Sequence, residues 1–77
     1  MKQEVDILVS TRDRHSELAL LMQSLRTQTY QNWNLFILDN ASDTPIIQSQ
    51  FITNLINRLR CENHGVTLLR NNVDFGI

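Results

Sequence analysis

Apolar residues in this chain are arranged in two ways, as short unbroken runs and as stripes at spacings of three and four. Val5-Asp6-Ile7-Leu8-Val9 is a β-rich run that opens into Ser10-Thr11-Arg12-Asp13-Arg14. This pattern predicts a strand followed by a polar loop, with Asp6 at the strand's exposed start. From about residue 14 to residue 28 the period changes. Leu18, Leu21, Met22 and Leu25 fall on one face of a helix, with Glu17, Gln23 and Arg26 toward solvent. Asp13 and Ser16 both suit its amino-terminal cap. Trp33 introduces a second strand, and Leu35-Phe36-Ile37-Leu38 runs straight into Asp39-Asn40-Ala41-Ser42-Asp43. Four apolar residues in succession predict a strand covered on both faces, as in a parallel sheet flanked by helices.

Thr44-Pro45 predicts a second helix start, with threonine as cap and proline at the first helical position. Phe51, Leu55 and Leu59, with Ile52 and Ile56, form its expected buried stripe, and it is expected to end near Cys61 to Asn63. His64-Gly65 turns the chain into Val66-Thr67-Leu68-Leu69-Arg70, a third strand, before the loop Asn71-Asn72-Val73-Asp74-Phe75-Gly76. The expected fold class is therefore α/β, a β-α-β-α-β unit with a three-stranded parallel sheet. At 77 residues this suits the amino-terminal portion of a domain better than a whole enzyme.

Composition narrows the function. The net charge is −1 with no basic block, which argues against nucleic acid as the main partner. The longest apolar run falls far short of the ~20 residues of a spanning helix. Asp6 interrupts what could have been a signal-peptide core, so a cytoplasmic protein with no transmembrane segment is expected. Cys61 is the single cysteine, so no disulfide or cysteine zinc cluster forms within the chain.

Parallel strands deliver their carboxyl ends to one edge, where ligands of open α/β sheets bind. Residues 10–14, 39–43 and 71–76 should converge there. Their hydroxyls, carboxylates and amides suit recognition of a base and ribose. No glycine-rich phosphate loop follows the first strand. Two roles for Asp39 stay open: accepting the imide N–H of a uracil or thymine base, or capping the following turn through backbone N–H groups. Arg12 and Arg14 could reach diphosphate oxygens, or simply be solvated. Asp43 fits helix-start electrostatics. His15 and His64 have no metal-site spacing and are expected at the surface or in turns. Tyr30 and Trp33 lie at the opposite end of the second strand, where packing explains them better than ligand stacking.

The series Asp6-Ile7-Leu8-Val9-Ser10-Thr11-Arg12-Asp13-Arg14, Leu25-Arg26-Thr27-Gln28-Thr29-Tyr30-Gln31-Asn32-Trp33 and Leu38-Asp39-Asn40-Ala41-Ser42-Asp43, continued by Leu69-Arg70-Asn71-Asn72 and Phe75-Gly76, resembles the amino terminus of family 2 glycosyltransferases. The resemblance covers essentially the whole chain. It implies the Rossmann-like amino-terminal half of a GT-A fold and transfer of a sugar from a nucleotide-diphosphate donor. Thr11 and Arg14 match the family's first loop, while Ser10 replaces its usual proline, Arg12 its aromatic residue and Asp13 its asparagine. Asp39 corresponds to the family's base-binding carboxylate, and Asn40-Ala41-Ser42 is a variant of a more common aspartate-glycine-serine. Asp74 stands where asparagine is usual. Ser10, Thr11, Arg12, Arg14, Asp39 and Asn40 are thus the residues implied to bind the donor. The family's divalent metal (Mg or Mn) is held by an Asp-x-Asp motif after a later strand, and its general base lies later still. No ligand for that metal is expected in this chain, which alone should be inactive.

Two other classes compete. A receiver-like module would use Asp39 as phosphate acceptor, but it needs more acidic partners and a later lysine, and Lys2 is the only lysine. A non-enzymatic binding or regulatory module could instead pair with a second copy through an open sheet edge, forming a homo-oligomer.

Overall fold

The chain folds as β1 (Val5–Thr11), α1 (His15–Thr27), β2 (Trp33–Asn40), a single 3-10 turn (Ile46–Gln48), α2 (Gln50–Cys61) and β3 (Val66–Asn71). This is a computed structural model, and it describes residues 3–71. The expected loop residues 72–76 lie outside that range.

All strand pairs are parallel, in the order β1-β2-β3. Val5 lies opposite Trp33 and Thr11 opposite Asp39, while Leu35 lies opposite Val66 and Asn40 opposite Asn71. Both crossovers step across the sheet in the same direction. With right-handed connections, such steps stack both helices on one face.

Burial alternates accordingly. Trp33, Leu35, Ile37 and Asp39 are buried, and the first three pack in one cluster with Leu18, Met22 and Leu25 of α1 and Ile52, Ile56 and Leu59 of α2. Their strand neighbours Phe36 and Leu38 are half-buried, and beside them Leu8 is 79% and Leu69 53% exposed. The expectation that β2 is covered on both faces is therefore corrected. A second helical layer requires the strand order to reverse, as in a full doubly wound sheet, and the described strands contain no reversal.

α1 has the expected buried residues Leu18, Met22 and Leu25, with Ala19 added and Leu21 partly buried. Neither expected residue caps it. Arg14 holds the cap position without a side-chain bond, because the carboxylate of Asp13 is used elsewhere. At the other end Gln31 Nε2 donates to the carbonyls of Leu25 at 3.1 Å and Gln28, satisfying groups the helix leaves unpaired.

The second helix departs most from expectation. Pro45 is extended and leads only into the 3-10 turn. α2 starts at Gln50, where Ser49 accepts from the Ile52 amide. Ile52, Leu55, Ile56 and Leu59 form the buried stripe, and Phe51, one step of about 100° around the helix from Ile52, is 61% exposed. α2 ends in a Schellman motif. Asn63 is left-handed (φ 71°), the His64 amide donates to the Leu59 carbonyl, and the Asn63 amide donates to the Arg60 carbonyl.

The amino ends of the strands are tied together. Asn34 Oδ1 accepts from the Gly65 amide at 3.1 Å while its Nδ2 donates to Asp6 Oδ1 at 3.3 Å. A β-carbon on Gly65 would sit 2.8 Å from Asn34 Oδ1, which explains a glycine there. His64, expected at the surface or in a turn, lies in the connection between α2 and β3 but is buried and stacked on Trp33. Arg26 grips Glu62 with two parallel bonds of 2.9 and 2.8 Å, linking the end of α1 to the residue after α2. Among the described residues no helix is long and apolar enough to cross a membrane.

Candidate functional site

Strand geometry places the carboxyl ends of β1 and β2 side by side, with Thr11 and Asp39 as register partners. Register partners project to the same face, and successive residues to opposite faces. The candidate residues are therefore divided. Thr11 and Asp39 share the helix-covered face, while Ser10 and Asn40 belong to the other. Arg12 and Arg14 are exposed in the loop that enters α1.

Asp39 is 1% exposed, and its carboxylate is engaged by its own fold. Oδ1 accepts from the Ser42 amide at 3.2 Å. Oδ2 accepts from the Ile46 amide and from Arg70 Nη1, each at 2.9 Å. These are the turn-capping bonds, extended by an ion pair from β3. Burial pushes the Asp39 carboxyl pKa up, but the hydrogen bonds from Ser42, Ile46 and Arg70 outweigh it and hold the group below the usual carboxylate range. It is a fixed anion.

Ser42, 2% exposed, is where the three strand tips meet. Its amide is held by Asp39 from β2, and its carbonyl accepts from Arg70 Nη2 of β3 at 3.1 Å. Its Oγ accepts from the Asp13 amide after β1 at 2.9 Å. Asp13 reciprocates. Its Oδ1 accepts from the Asp43 amide at 2.8 Å and the Thr44 amide at 3.4 Å. Asp13 (φ 52°) and Ala41 (φ 56°) are both left-handed, and each allows its loop to fold back on the other.

Asp13, Ser42 and Arg70 carry more of this site's geometry than sequence reasoning assigned them. The tolerance of Asp for left-handed turns was the available signal for Asp13. For Arg70 it was a charged residue ending an otherwise apolar strand.

Two concavities lie elsewhere. One, of about 950 Å³, is at the opposite end of the sheet and is lined by Arg26, Tyr30, Asn32, Glu62, Asn63 and His64 among others. The carboxyl ends of both helices point there, so the local dipole field disfavours a diphosphate. The other, of about 280 Å³, is a shallow apolar depression on the open sheet face between Leu8, Phe36, Leu38 and Leu69, with Ser10 at its border.

Among the described residues no three His, Cys, Asp or Glu side chains converge. The described residues offer no ligand set for the implied divalent metal, and no step is assigned to it. No protein-family model matches this chain, and no curated protein is significantly similar to it.

Proposed function

We propose that this chain is the amino-terminal, nucleotide-binding portion of a glycosyltransferase that uses a nucleotide-diphosphate sugar, with the joined tips of β1 and β2 as the donor's seat. The observation that carries this reading is the side-by-side placement of Thr11 and Asp39, bound into one surface by Ser42 and Asp13. Two departures from the resembled family also fit it. Asp13 stands where asparagine is usual, and either residue tolerates φ 52° and supplies the same acceptor oxygen to Asp43 and Thr44. Ala41 stands where glycine is more common, in a left-handed conformation.

In such a transfer an acceptor hydroxyl oxygen bonds to the anomeric carbon. The bond from that carbon to the diphosphate breaks, and the diphosphate leaves with the electron pair. This chain's part is to hold the leaving group. Arg12 and Arg14, exposed in the loop before α1, are the cations assigned in this reading to its negative charge. The base that takes the acceptor's proton belongs to another segment. The polar break at Asp6 favours a cytoplasmic location.

A titration of the isotope-labelled chain with uridine diphosphate tests this reading. Amide shifts at Thr11, Arg12, Arg14 and Asn40 are expected, with none at Tyr30 or Asn63. No shifts at millimolar nucleotide, or shifts confined to the Tyr30 end, would overturn it.

The sheet edges favour a second reading, a self-associating module. Among the described residues β1 and β3 each pair only with β2, so each leaves one side of its backbone open. Sedimentation equilibrium decides it: a monomer across the micromolar range excludes edge pairing.

A further inference from the structure

We infer that Ser42 is the positioning residue of the nucleotide seat, fixing the loop after β1 and the Asp39 carboxylate in one arrangement. This rests on the donor-seat reading for its ligand but not for its mechanics.

Asp39 is almost wholly withdrawn from solvent, and its two oxygens already accept from Ser42, Ile46 and Arg70. Each of these bonds is made to a charged acceptor and is therefore stronger than an ordinary one. Ser42 is built as a connector. Its Oγ accepts from the Asp13 amide while its own amide donates to the Asp39 carboxylate, so one residue of the loop after β2 ties the loop after β1 to Asp39. Arg70 reinforces the node from β3 by gripping Asp39 and the Ser42 carbonyl together. On the far side of the node, Asp13 holds the Asp43 and Thr44 amides. Arg12 and Arg14 flank Asp13, so the backbone from which both side chains extend is set by the node. Because every link shares Ser42, Asp39 or Asp13, and Asp13 is itself bound to Ser42, the loops order together. The seat is then preorganised and does not have to be assembled by the ligand.

Amide hydrogen exchange in the nucleotide-free chain reads this coupling directly. Ser42→Ala should speed exchange at Asp13, Asp43 and Thr44 together, by about tenfold, the effect of one lost hydrogen bond, with Leu35 and Ile37 unchanged as the control for folding. Arg70 binds Asp39 and the Ser42 carbonyl, and Arg70→Gln should speed exchange at Asp13 and Asp43 as well. An effect confined to Ser42 and Ile46 would overturn the inference. Should Ser42→Ala fail to fold, Arg70→Gln decides the matter alone, since its side chain is a third exposed. In the second arm, uridine diphosphate binding should weaken about fivefold or more in Ser42→Ala and recover in Ser42→Thr, which keeps the hydroxyl. Altered exchange with unaltered affinity would show a merely structural node and overturn the positioning role. If the unmodified chain binds no uridine diphosphate, the donor reading and the positioning role fall together, while the exchange results still decide whether the loops are coupled.

Discussion

The imidazole of His64 lies flat on the indole of Trp33, with ring centroids 3.6 Å apart and planes 8° from parallel. Its Nδ1 is 3.1 Å from the Trp33 carbonyl, so Nδ1 carries the proton and donates. One residue after the left-handed Asn63, this ring closes the space between the end of α2 and the start of β2. Stacking contributes about 0.5–1.5 kcal/mol beyond area burial, and an orphaned buried carbonyl costs about 1–3 kcal/mol. His64→Ala should therefore destabilise the fold by about 2–3 kcal/mol and change Trp33 emission. Urea unfolding followed by that fluorescence checks it, and an unmoved midpoint would show that the stack is incidental.

Asp39 gives the chain a specific acid sensitivity. Its pKa is lowered in the folded state, so as pH falls the unfolded chain takes up the proton first. The stabilisation is complete above the unfolded value of about 4 and is lost as pH falls through the lower folded value. Asp39→Asn keeps one acceptor oxygen but no charge for Arg70. The difference in unfolding free energy between the two proteins should stay level from about pH 7 to pH 5 and shrink below about pH 4. Denaturation series across that range measure it. A gap that stays constant into strong acid would mean that Asp39 is not the responsible group.

The order of elements, the three strands and the α1 face were legible because each depends on local periodicity. The meeting of the β1 and β2 ends at one edge of the sheet then followed from parallel connection. What could not be read depends on contacts distant in sequence. Asp13 looked like a cap for the helix two residues ahead, but its carboxylate is taken by Asp43 and Thr44, some thirty positions away. Thr44-Pro45 carries a sound local helix-start signal. The bond from Ile46 to Asp39 holds that segment in a 3-10 turn instead, and α2 waits for Ser49. Strand β2 was read as two-faced because apolar runs do not show which side is covered. Two same-direction crossovers, a property of the topology, decided that.

The one-sided sheet makes the two faces unequal in energy. Leu35 is fully buried under both helices, whereas Leu8, one strand over and on the other face, is 79% exposed. Leu35→Ala should cost about 2–5 kcal/mol, through lost transfer energy and the cavity left behind. Leu8→Ser should stay within about 0.5 kcal/mol of the original. Thermal or urea unfolding of the two variants checks this. A loss at Leu8 comparable to that at Leu35 would mean that something covers the open face in solution.

Ala41 holds a left-handed conformation that a β-carbon disfavours by about 1–2 kcal/mol. It is kept there by its amide, which donates to the Asp39 carbonyl at 3.1 Å and the Asn71 carbonyl at 2.9 Å, and by the ties on Ser42 next to it. Glycine would relieve the strain and keep both bonds, at a cost of about 0.4–1 kcal/mol from the greater freedom of the unfolded chain. The first effect is larger, so Ala41→Gly should stabilise the protein by about 0.5–1 kcal/mol. In a domain of this size that raises the melting temperature by several degrees. If the loops are held by the Ser42 node and not by the stiffness of Ala41, the extra stability should come with unchanged exchange at Asp13 and Asp43. Faster exchange there, or a lower melting temperature, would mean that the alanine methyl itself supports the turn.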